Sequence, residues 1–242
     1  MLSMHRTAAW TTLALIGSVA VGADSTVVGF DGGSSDGFTG NALFQATDGN
    51  PGGAARHVTD LLFNDLRTGG IGEPVNANFL GDYSSFSNIE FSFDVRTNML
   101  DDFTGNPIAR PVGIMLIDRD IQGGSGPSGV FFEIGTLGVN FNPEWTTLSV
   151  TIADPTSAAL PTGWIGFGDE DPNTFEPILP DGATFASVLA SVDEFRITGA
   201  VPGFFFTNAF WDVQIDNITV SVPAPASGVL LAAGLLAIRR RR

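Results

Sequence analysis

The chain has 242 residues, a formal net charge of −15, no cysteine and no lysine. Without cysteine it has no disulfides, zinc–thiolate sites or cysteine nucleophiles. Residues 24–222 contain six arginines and 26 acidic residues, a net charge of −20, which excludes nucleic acid and anionic lipid as partners of this part. Such a surface attracts divalent cations, although acidity is equally a general property of secreted or salt-exposed proteins.

The first 23 residues have the composition of a secretory signal peptide. His5 and Arg6 precede an apolar stretch at 8–21, and small residues follow up to Ala23. This order predicts cleavage after Ala23. The alternative, an N-terminal anchor helix, is disfavoured because polar residues interrupt a short apolar stretch.

The following residues indicate short strands separated by turns rich in glycine, proline, asparagine and aspartate. The pattern is clearest at 88–96, where apolar residues at odd positions alternate with polar ones, as in a strand with one solvated face. Only 184–190 favours a helix. Further strands are predicted at 26–31, 41–47, 54–60, 112–118, 129–134, 137–141, 145–152, 164–167, 194–198 and 210–222.

The last of these strands contains a change of parity. Its apolar residues lie at odd positions from Trp211 to Ile215 and at even positions from Ile218 to Val222. A shift of one residue moves every later side chain to the other face of a sheet. We therefore predict a β-bulge at Asp216-Asn217.

About ten strands with almost no helix indicate an all-β fold, an antiparallel jelly-roll β-sandwich. We expect it to be flanked by an N-terminal signal helix and a short C-terminal hydrophobic helix. The chain is therefore divided into a signal peptide at 1–23, a β-sandwich domain at 24–221 and a tail at 222–242.

The tail has three segments in a fixed order, namely VPAPA at 222–226, an apolar run at 228–238 and four terminal arginines. The prolines end the preceding strand, the apolar run favours a helix, and the arginines favour the cytoplasmic side of a membrane. This layout resembles the PEP-CTERM sorting tail of exported bacterial proteins, with Ala224 where glutamate is usual. The motif residues are Val222, Pro223, Ala224, Pro225, Arg239, Arg240, Arg241 and Arg242.

That resemblance implies an exosortase-type enzyme and the export machinery as partners. It also implies delivery to the cell surface, outer envelope or extracellular matrix, after transient anchoring in the inner membrane through the C-terminal helix. The alternative is an ordinary C-terminal membrane anchor. Under either interpretation, the tail indicates where the protein is delivered and says nothing about its activity.

A second resemblance covers about 150 residues of the domain. DGNPGG at 48–53, FLGD at 79–82, the alternating strand at 88–95, and the segments 191–199 and 213–220 are similar in order to the laminin IV type A domain. The Ala-Pro pair usual before FLGD is missing. This resemblance implies a β-sandwich related to galactose-binding and carbohydrate-binding modules, and it implies no enzymatic activity.

The domain offers little catalytic equipment. His57 is its single histidine, and no Gly-x-Ser-x-Gly nucleophile elbow accompanies it, so we interpret His57 as a strand residue. Acidic clusters lie at 118–120 and 169–171, and a glycosidase needs two carboxylates facing each other across a cleft. We interpret these clusters as solvated loop tips, calcium ligands or, at 118–120, an internal ion pair, and predict no catalytic residues.

Calcium is the cofactor that these acidic loops favour, because it takes six to eight oxygen ligands. By resemblance to carbohydrate-binding modules, Asp31 and Asp216 are the predicted pair of ligands, with Asp60 as a third. The alternative is that Asp216 belongs to a bulge without a metal.

Sugar binding would use exposed aromatic rings beside polar groups. Trp145, Trp164 and Trp211 lie on predicted strands and are assigned to the core. The exposed candidates are Tyr83, Phe204 and Phe205, although the Phe204–Phe206 run could equally pack under its own loop.

These observations favour an exported, surface- or matrix-associated, non-catalytic module that binds glycan or polysaccharide. The alternative is a structural protein of the extracellular matrix or envelope without a discrete ligand. A carbohydrate-active enzyme is the third hypothesis.

Overall fold

This computed structural model describes residues 23–223, which contain fourteen strands and one short α-helix, joined by turns and loops. The first strands are β1 Ala23–Val28, β2 Thr39–Gly40, β3 Leu43–Gln45, β4 Ala54–Leu61, β5 Asp65–Gly69 and β6 Ile89–Asp101. They are followed by β7 Arg110–Gly123, β8 Gly126–Leu137, β9 Thr146–Ile152, β10 Trp164–Phe167, β11 Asp169–Glu170, β12 Pro177–Ile178, β13 Glu194–Thr198 and β14 Ala209–Pro223. The helix α1 covers Phe185–Leu189, and 3-10 turns cover Asp31–Gly33 and Ala77–Phe79.

Two six-stranded sheets contain most of these strands. The first sheet has the order β3-β4-β14-β6-β9, with β1 paired to the end of β14. The second sheet has the order β10-β8-β7-β13-β5-β2, and β11 and β12 form a separate ribbon. The described pairings are antiparallel. The predicted all-β class is therefore confirmed.

The hydrophobic core lies between the two sheets. Phe91 of β6 stacks against Phe195 of β13 with 5.4 Å between ring centres, which joins the inner faces. Ile89, Phe93 and Val95 are at most 1% exposed, as the alternation at 88–96 predicts. Burial of each such side chain contributes about 1.5–3 kcal/mol. Residues 23–223 lie in one compact unit that contains this whole core, and we expect them to fold without the flanking segments.

The predicted β-bulge is present in β14. Asp216 pairs with Asp94 and Thr219 pairs with Ser92, so Asn217 and Ile218 together oppose one residue of β6. Asn217 has a φ of 48°, in the left-handed region that asparagine tolerates better than most residues. The bulge restores Ile218 and the later apolar residues to the core face.

The predicted helix is also present, though it is shorter than expected. Thr184 is its N-cap, and its side chain accepts the backbone N–H of Ser187 at 3.0 Å. Ser187 Oγ in turn accepts the backbone N–H of Thr184 at 2.8 Å. This reciprocal cap satisfies two donors that the helix leaves unpaired.

Several of the predicted strands have the wrong bounds; β7 and β8, for example, are longer than the predicted segments at 112–118 and 129–134. β1 ends at Val28, because Phe30 has a φ of 53° and a 3-10 turn follows it. The predicted strand at 137–141 is a turn, in which Asn142 Oδ1 accepts the backbone N–H of Gly138 at 3.1 Å. An asparagine side chain commonly satisfies a turn in this way.

Residues 1–22 and 224–242 lie outside the described part. The predicted signal helix, the C-terminal helix, Ala224, Pro225 and the arginines at 239–242 lie outside it as well. Val222 and Pro223 belong to β14, where Pro223 pairs with Ala23. None of the helices between residues 23 and 223 is long and apolar enough to cross a membrane.

Candidate functional sites

The turn at 48–53 brings together two of the carboxylates predicted to bind calcium. Asp31 follows β1, and its Oδ1 accepts the backbone N–H of Gly53 at 3.4 Å. Asp216 lies at the bulge of β14, and its Oδ2 accepts the backbone N–H of Asn50. Both carboxylates therefore contact one turn, although they come from opposite ends of the domain.

Oxygen atoms crowd around this turn. A side-chain carbon at Gly49, Gly52 or Gly53 would clash with an oxygen of a neighbouring residue. In addition, Gln45 Oε1 is buried without a hydrogen-bond partner among the described residues. The oxygens nearest the glycines are the carboxylates of Asp31 and Asp216 and the backbone carbonyls of Phe30, Gln45 and Gly53.

The carboxylate of Asp216 is buried in an acidic neighbourhood. Burial raises its pKa, the backbone N–H groups of Asn50 and Asn217 lower it, and the negative charges of Asp94 and Asp31 raise it further. Asp94 Oδ2 accepts hydrogen bonds from Asn50 Nδ2 at 3.0 Å and from Asn217 Nδ2 at 2.8 Å. A hard divalent cation fits such a cluster, because carboxylate and carbonyl oxygens are the ligands that calcium prefers.

Asp60, the third predicted ligand, does not reach this turn. It pairs with Phe210 near one end of β4, whereas Ala55 at the other end pairs with Ile215, next to Asp216. The two positions are roughly 17 Å apart along an extended strand. Asp60 is also exposed. The expected grouping of Asp60 with the other two carboxylates is therefore wrong.

A second acidic cluster lies on the second sheet. Carboxylate oxygens of Asp118, Asp120 and Asp193 are within 4.8 Å of one another. Sequence reasoning found the first two but missed Asp193, which the pairing of β13 with β7 brings alongside. Arg119 does not neutralise this cluster, since its guanidinium pairs with Glu194.

His57 is a buried strand residue, as predicted. It is 0% exposed in β4, and its Nδ1 lies 2.8 Å from Asn41 Oδ1. That oxygen also accepts the backbone N–H of Asp65 at 2.8 Å, so Nδ1 is the donor and Nε2 carries the lone pair. Burial lowers the pKa of His57 to about 4. A buried ring in this position does not reach a substrate.

The acidic cluster at 169–171 is a loop tip. Asp169 and Glu170 form β11, and Asp171 Oδ1 accepts the backbone N–H groups of Asn173 and Thr174 at 2.7 and 3.2 Å. These contacts shape a turn and lower the pKa of Asp171. The interpretation of this segment as a solvated loop agrees with its structure.

Tyr83 is not an exposed aromatic residue. It is 4% exposed, its ring lies edge-on to Phe91 at 5.6 Å, and its backbone N–H donates to the carbonyl of Leu189 at 2.8 Å. Burial raises the pKa of its hydroxyl. The prediction of Tyr83 as a sugar-binding residue is therefore wrong, because the segment before β6 folds against α1.

Two of the three tryptophans lie in the core, as predicted. Trp211 is 0% exposed and donates Nε1–H to the carbonyl of Leu61 at 2.9 Å. Trp164 is 8% exposed and packs between Phe132 and Phe185. It borders a cavity of about 550 Å³ between β9 and β10 but offers that cavity little surface.

Trp145 is not in the core. It immediately precedes β9, is half-buried, and lies under the guanidinium of Arg96 with 5.0 Å between Cζ and the ring centre. The apolar residues of β9 that face inward lie at even positions, so an odd position faces the outside of the first sheet. The prediction of a core position for Trp145 is wrong for that reason.

Phe204 and Phe205 are exposed, by 69% and 99%, at the loop between β13 and β14. Phe204 and Phe206 are nearly parallel, with 6.1 Å between ring centres. Phe206 packs against a small apolar cluster on the outer face of the second sheet, which includes Met115 and Phe131. Packing under the loop therefore applies to Phe206, whereas Phe204 and Phe205 remain on the surface.

A cavity of about 270 Å³ lies beside this loop, at the start of β7 and the end of β8. Its lining includes two aromatic residues, Phe204 and Phe206, and three residues with polar side chains, Arg110, Glu133 and Thr136. Arg110 Cζ lies 5.1 Å from the centre of the Phe206 ring. Sequence reasoning missed Arg110, Glu133 and Thr136, because Arg110 and Phe206 are 96 positions apart and only the fold brings them together.

The six arginines of the described part fall into two groups. Arg56, Arg67, Arg119 and Arg196 each form an ion pair with a carboxylate. Arg96 and Arg110 have no carboxylate within 4.0 Å among the described residues, and each lies over an aromatic ring. Arg96 nevertheless donates two hydrogen bonds to Gln214 Oε1, at 3.0 and 2.7 Å.

No protein-family model matches the chain, and no curated protein matches it in sequence. Among solved structures, it is similar to a family 22 carbohydrate-binding module of Clostridium thermocellum, with 10% identity and a TM-score of 0.42 over 83% of this chain and 94% of that one. It is also similar to a family 11 module of the same organism, in complex with a β-1,3-1,4-mixed-linked tetrasaccharide. The identity is 12% and the TM-score 0.40, over 85% of this chain and 91% of that one. A third similar structure is a carbohydrate esterase from the Shiga toxin-encoding bacteriophage phi24B. Its identity is 15% and its TM-score 0.41, over 82% of this chain and 100% of that one. Likeness at this level assigns neither a ligand nor a residue role to this chain.

Proposed function

We propose that this protein is an exported, non-catalytic module that binds glycan, and that the cavity beside Phe204 is its sugar site. The observation that carries the proposal is the arrangement of Arg110 over Phe206 next to the exposed ring of Phe204, with Glu133 and Thr136 in the same cavity. We also propose that the two sheets are connected as a jelly roll, as predicted from the sequence.

The chemistry of this cavity matches that of a sugar. The apolar face of a pyranose packs on an aromatic ring, and its hydroxyl groups need donors and acceptors at the edge of that ring. The rings of Phe204 and Phe206 provide the first, and Arg110, Glu133 and Thr136 provide the second. At about 270 Å³ the cavity is slightly smaller than typical ligand sites of roughly 300–1,000 Å³, and it has room for about one sugar residue.

A glycan array on the domain of residues 23–223, followed by calorimetry, tests the proposal. We expect Phe204→Ala to weaken binding roughly 5- to 150-fold, since aromatic contacts of this kind are worth about 1–3 kcal/mol. Ile71→Ala is the matched control, because Ile71 is 85% exposed and lies outside the lining of this cavity. If no glycan on the array binds, the proposal fails, and a structural matrix role without a discrete ligand takes its place.

We also propose that the turn at 48–53 holds a structural calcium ion. The residues present fit this ion, because two carboxylates and three backbone carbonyl oxygens lie close to the turn glycines. Asp31 and Asp216 would provide carboxylate ligands, and the carbonyls of Phe30, Gln45 and Gly53 would provide neutral ones. The ion would neutralise the acidic neighbourhood of Asp216 and hold the turn to the segment after β1 and to the bulge of β14.

Export and sorting form the last part of the proposal. The order of the proline motif, apolar run and arginines at 222–242, together with the signal-like segment at 1–23, supports them. The expected partners are an exosortase-type enzyme and the export machinery, and the expected location is the cell surface, outer envelope or matrix. Replacement of the arginines at 239–242 by alanine tests this part. The processed form should disappear from the outer fraction, and unchanged processing would contradict it.

A further inference from the structure

Arg110 is an uncompensated positive charge in a strongly negative domain. Its guanidinium donates to the backbone carbonyls of Ala109 and Thr207 at 3.4 and 3.3 Å, which is long for a hydrogen bond to a charged donor. Its Nε is buried and has no partner among the described residues. By contrast, Arg56 holds Asp212 with two bonds of 2.7 and 2.6 Å.

Partial burial makes this charge costly. It lowers the pKa of Arg110, which means that the protein environment disfavours the charged form. A guanidinium presents a planar fork of donors that matches a carboxylate, and hydrogen bonds between charged partners are roughly twice as strong as neutral ones. A carboxylate from a ligand would therefore satisfy Arg110 where the protein itself does not.

We infer that the sugar bound in this cavity is a uronic acid residue, with its carboxylate on Arg110 and a ring face on Phe204. This inference rests on the glycan-binding function proposed above and names the class of sugar. Glu133 and Thr136 lie in the same cavity and accept hydrogen bonds from the sugar hydroxyls. The cavity thus has one cationic and one anionic wall, which suits a sugar with one carboxylate and several hydroxyl donors.

The ligand is a single uronate on an otherwise neutral glycan, and not a continuous polyuronate. The cavity of about 270 Å³ holds about one sugar residue, and one arginine compensates one carboxylate. The next uronates of a polyanion would face Glu133 and a domain with a net charge of −20, without a further unpaired arginine in the cavity lining. Repulsion between like charges close to the surface opposes such a ligand even at physiological salt, where the screening length is about 8 Å.

Matched pairs of sugars that differ only at C6 test the inference. Calorimetry at 150 mM salt would compare glucose with glucuronate, galactose with galacturonate and mannose with mannuronate, together with tetragalacturonate. We expect one acid to bind roughly tenfold or more tightly than its neutral partner, the gain that a charge-assisted hydrogen bond gives. Arg110→Gln should remove this preference, so that the acid and its neutral partner bind the variant with equal affinity.

Two further variants separate the charge from the aromatic contact. Phe204→Ala should weaken acid and neutral sugars by the same factor, and Arg96→Gln, whose guanidinium lies outside this cavity lining, should change neither. Equal affinities for acid and neutral sugars in the unchanged protein would overturn the inference and leave the glycan-binding function standing. Tighter binding of tetragalacturonate than of any single uronate would also overturn it. Failure of every sugar to bind, here and on the array, would remove the proposed function with it.

Discussion

The guanidinium carbon of Arg96 lies 5.0 Å from the centre of the Trp145 ring, on the outer face of the first sheet. Arg96 lies in β6 and Trp145 immediately precedes β9, and the pairing of Val95 with Thr146 brings the two residues side by side. The ring therefore covers a charged side chain at the surface and does not fill the core. Trp211, in β14 of the same sheet, is fully buried and lies on the opposite face.

These two tryptophans should differ in their effect on stability. Trp211→Ala leaves a large cavity and an unpaired carbonyl at Leu61, and we expect it to lower the free energy of unfolding by about 3–5 kcal/mol. Trp145→Ala removes mainly a cation–π contact and should lower it by about 1 kcal/mol or less. Urea unfolding followed by circular dichroism measures both. A loss at Trp145 as large as that at Trp211 would contradict the surface position.

The bulge in β14 gives a second prediction, which concerns Asn217. With a φ of 48°, this residue is strained for a β-branched side chain and unstrained for glycine. Asn217→Val and Asn217→Gly both remove the side-chain bonds to Asp94 and to the carbonyl of Asn50. The valine variant should nevertheless be less stable than the glycine variant by about 1–3 kcal/mol.

Thermal unfolding of the two Asn217 variants in parallel isolates the backbone term, since their lost hydrogen bonds are the same. The matched control is Thr219, which lies two residues later in the regular strand, where valine has a higher β-propensity than glycine. There Thr219→Val should be more stable than Thr219→Gly. The same order at both positions would mean that residue 217 is not in a left-handed conformation.

Local patterns in the sequence predicted the strands whose side chains alternate, but not which strands pair. The apolar residues from Ile89 to Val95 face the core, and the change of parity in β14 marks the bulge at Asp216-Asn217. The prediction for Trp145 is wrong, although its odd number, just before β9, places it on the outer face by the alternation of that strand. An aromatic residue at the end of a strand was assigned by its type, whereas the period of two decides its face.

The candidate sites were only partly predictable, because they depend on contacts between distant segments. The pairing of β1 with β14 brings Asp31 and Asp216 to the same turn, and the register of β4 keeps Asp60 away from it. Tyr83 is buried because the bridge between Gly81 and Val192 holds its segment against α1. Nothing near Arg110 in the sequence indicates that it lies over Phe206.

Removal of calcium gives a third prediction. At a calcium concentration about one hundred times the dissociation constant, a bound ion stabilises the domain by about 2.7 kcal/mol, or roughly 5–10 °C in Tm. A chelator should reverse this shift. Asp216→Asn and Asp31→Asn should abolish the calcium-dependent part, whereas Asp60→Asn should retain it, because Asp60 is far from the turn. A Tm that does not respond to calcium in the unchanged protein would remove the metal site.

The buried ion pairs of Glu194 give a fourth prediction. Its carboxylate is 1% exposed and holds both Arg119 and Arg196. Loss of one partner leaves charges without compensation in a poorly solvated place, so Glu194→Gln should lower the free energy of unfolding by about 3–5 kcal/mol. Glu73→Gln is the control, because the Glu73 side chain, which pairs with Arg67, is 34% exposed. Its replacement should lower the free energy of unfolding by about 1 kcal/mol or less. Equal losses in chemical denaturation would contradict the difference in burial.

The last prediction concerns pH and the hydrogen bond from His57 to Asn41. Because Nδ1 donates to Asn41, a proton must enter at Nε2, which is buried and has no partner among the described residues. The pKa is therefore about 4 in the folded protein, against 6.5 in the unfolded chain. Below pH 6.5 the unfolded chain binds the proton and the folded protein does not. This stability term is thus fully present above pH 6.5 and is lost as the pH falls to about 4, by about 3 kcal/mol.

His57→Gln isolates this term, because glutamine keeps a donor for Asn41 and does not titrate. The buried carboxylates of Asp65, Asp118 and Asp216 also have raised pKa values and stabilise the fold as the pH falls, but they are common to both proteins. Urea unfolding at intervals between pH 7.5 and pH 4 measures the difference. Between pH 7.5 and pH 4 the free energy of unfolding of the variant should rise by about 3 kcal/mol relative to that of the unchanged protein. Parallel curves for the two proteins would show that His57 takes up its proton as easily in the fold as in water.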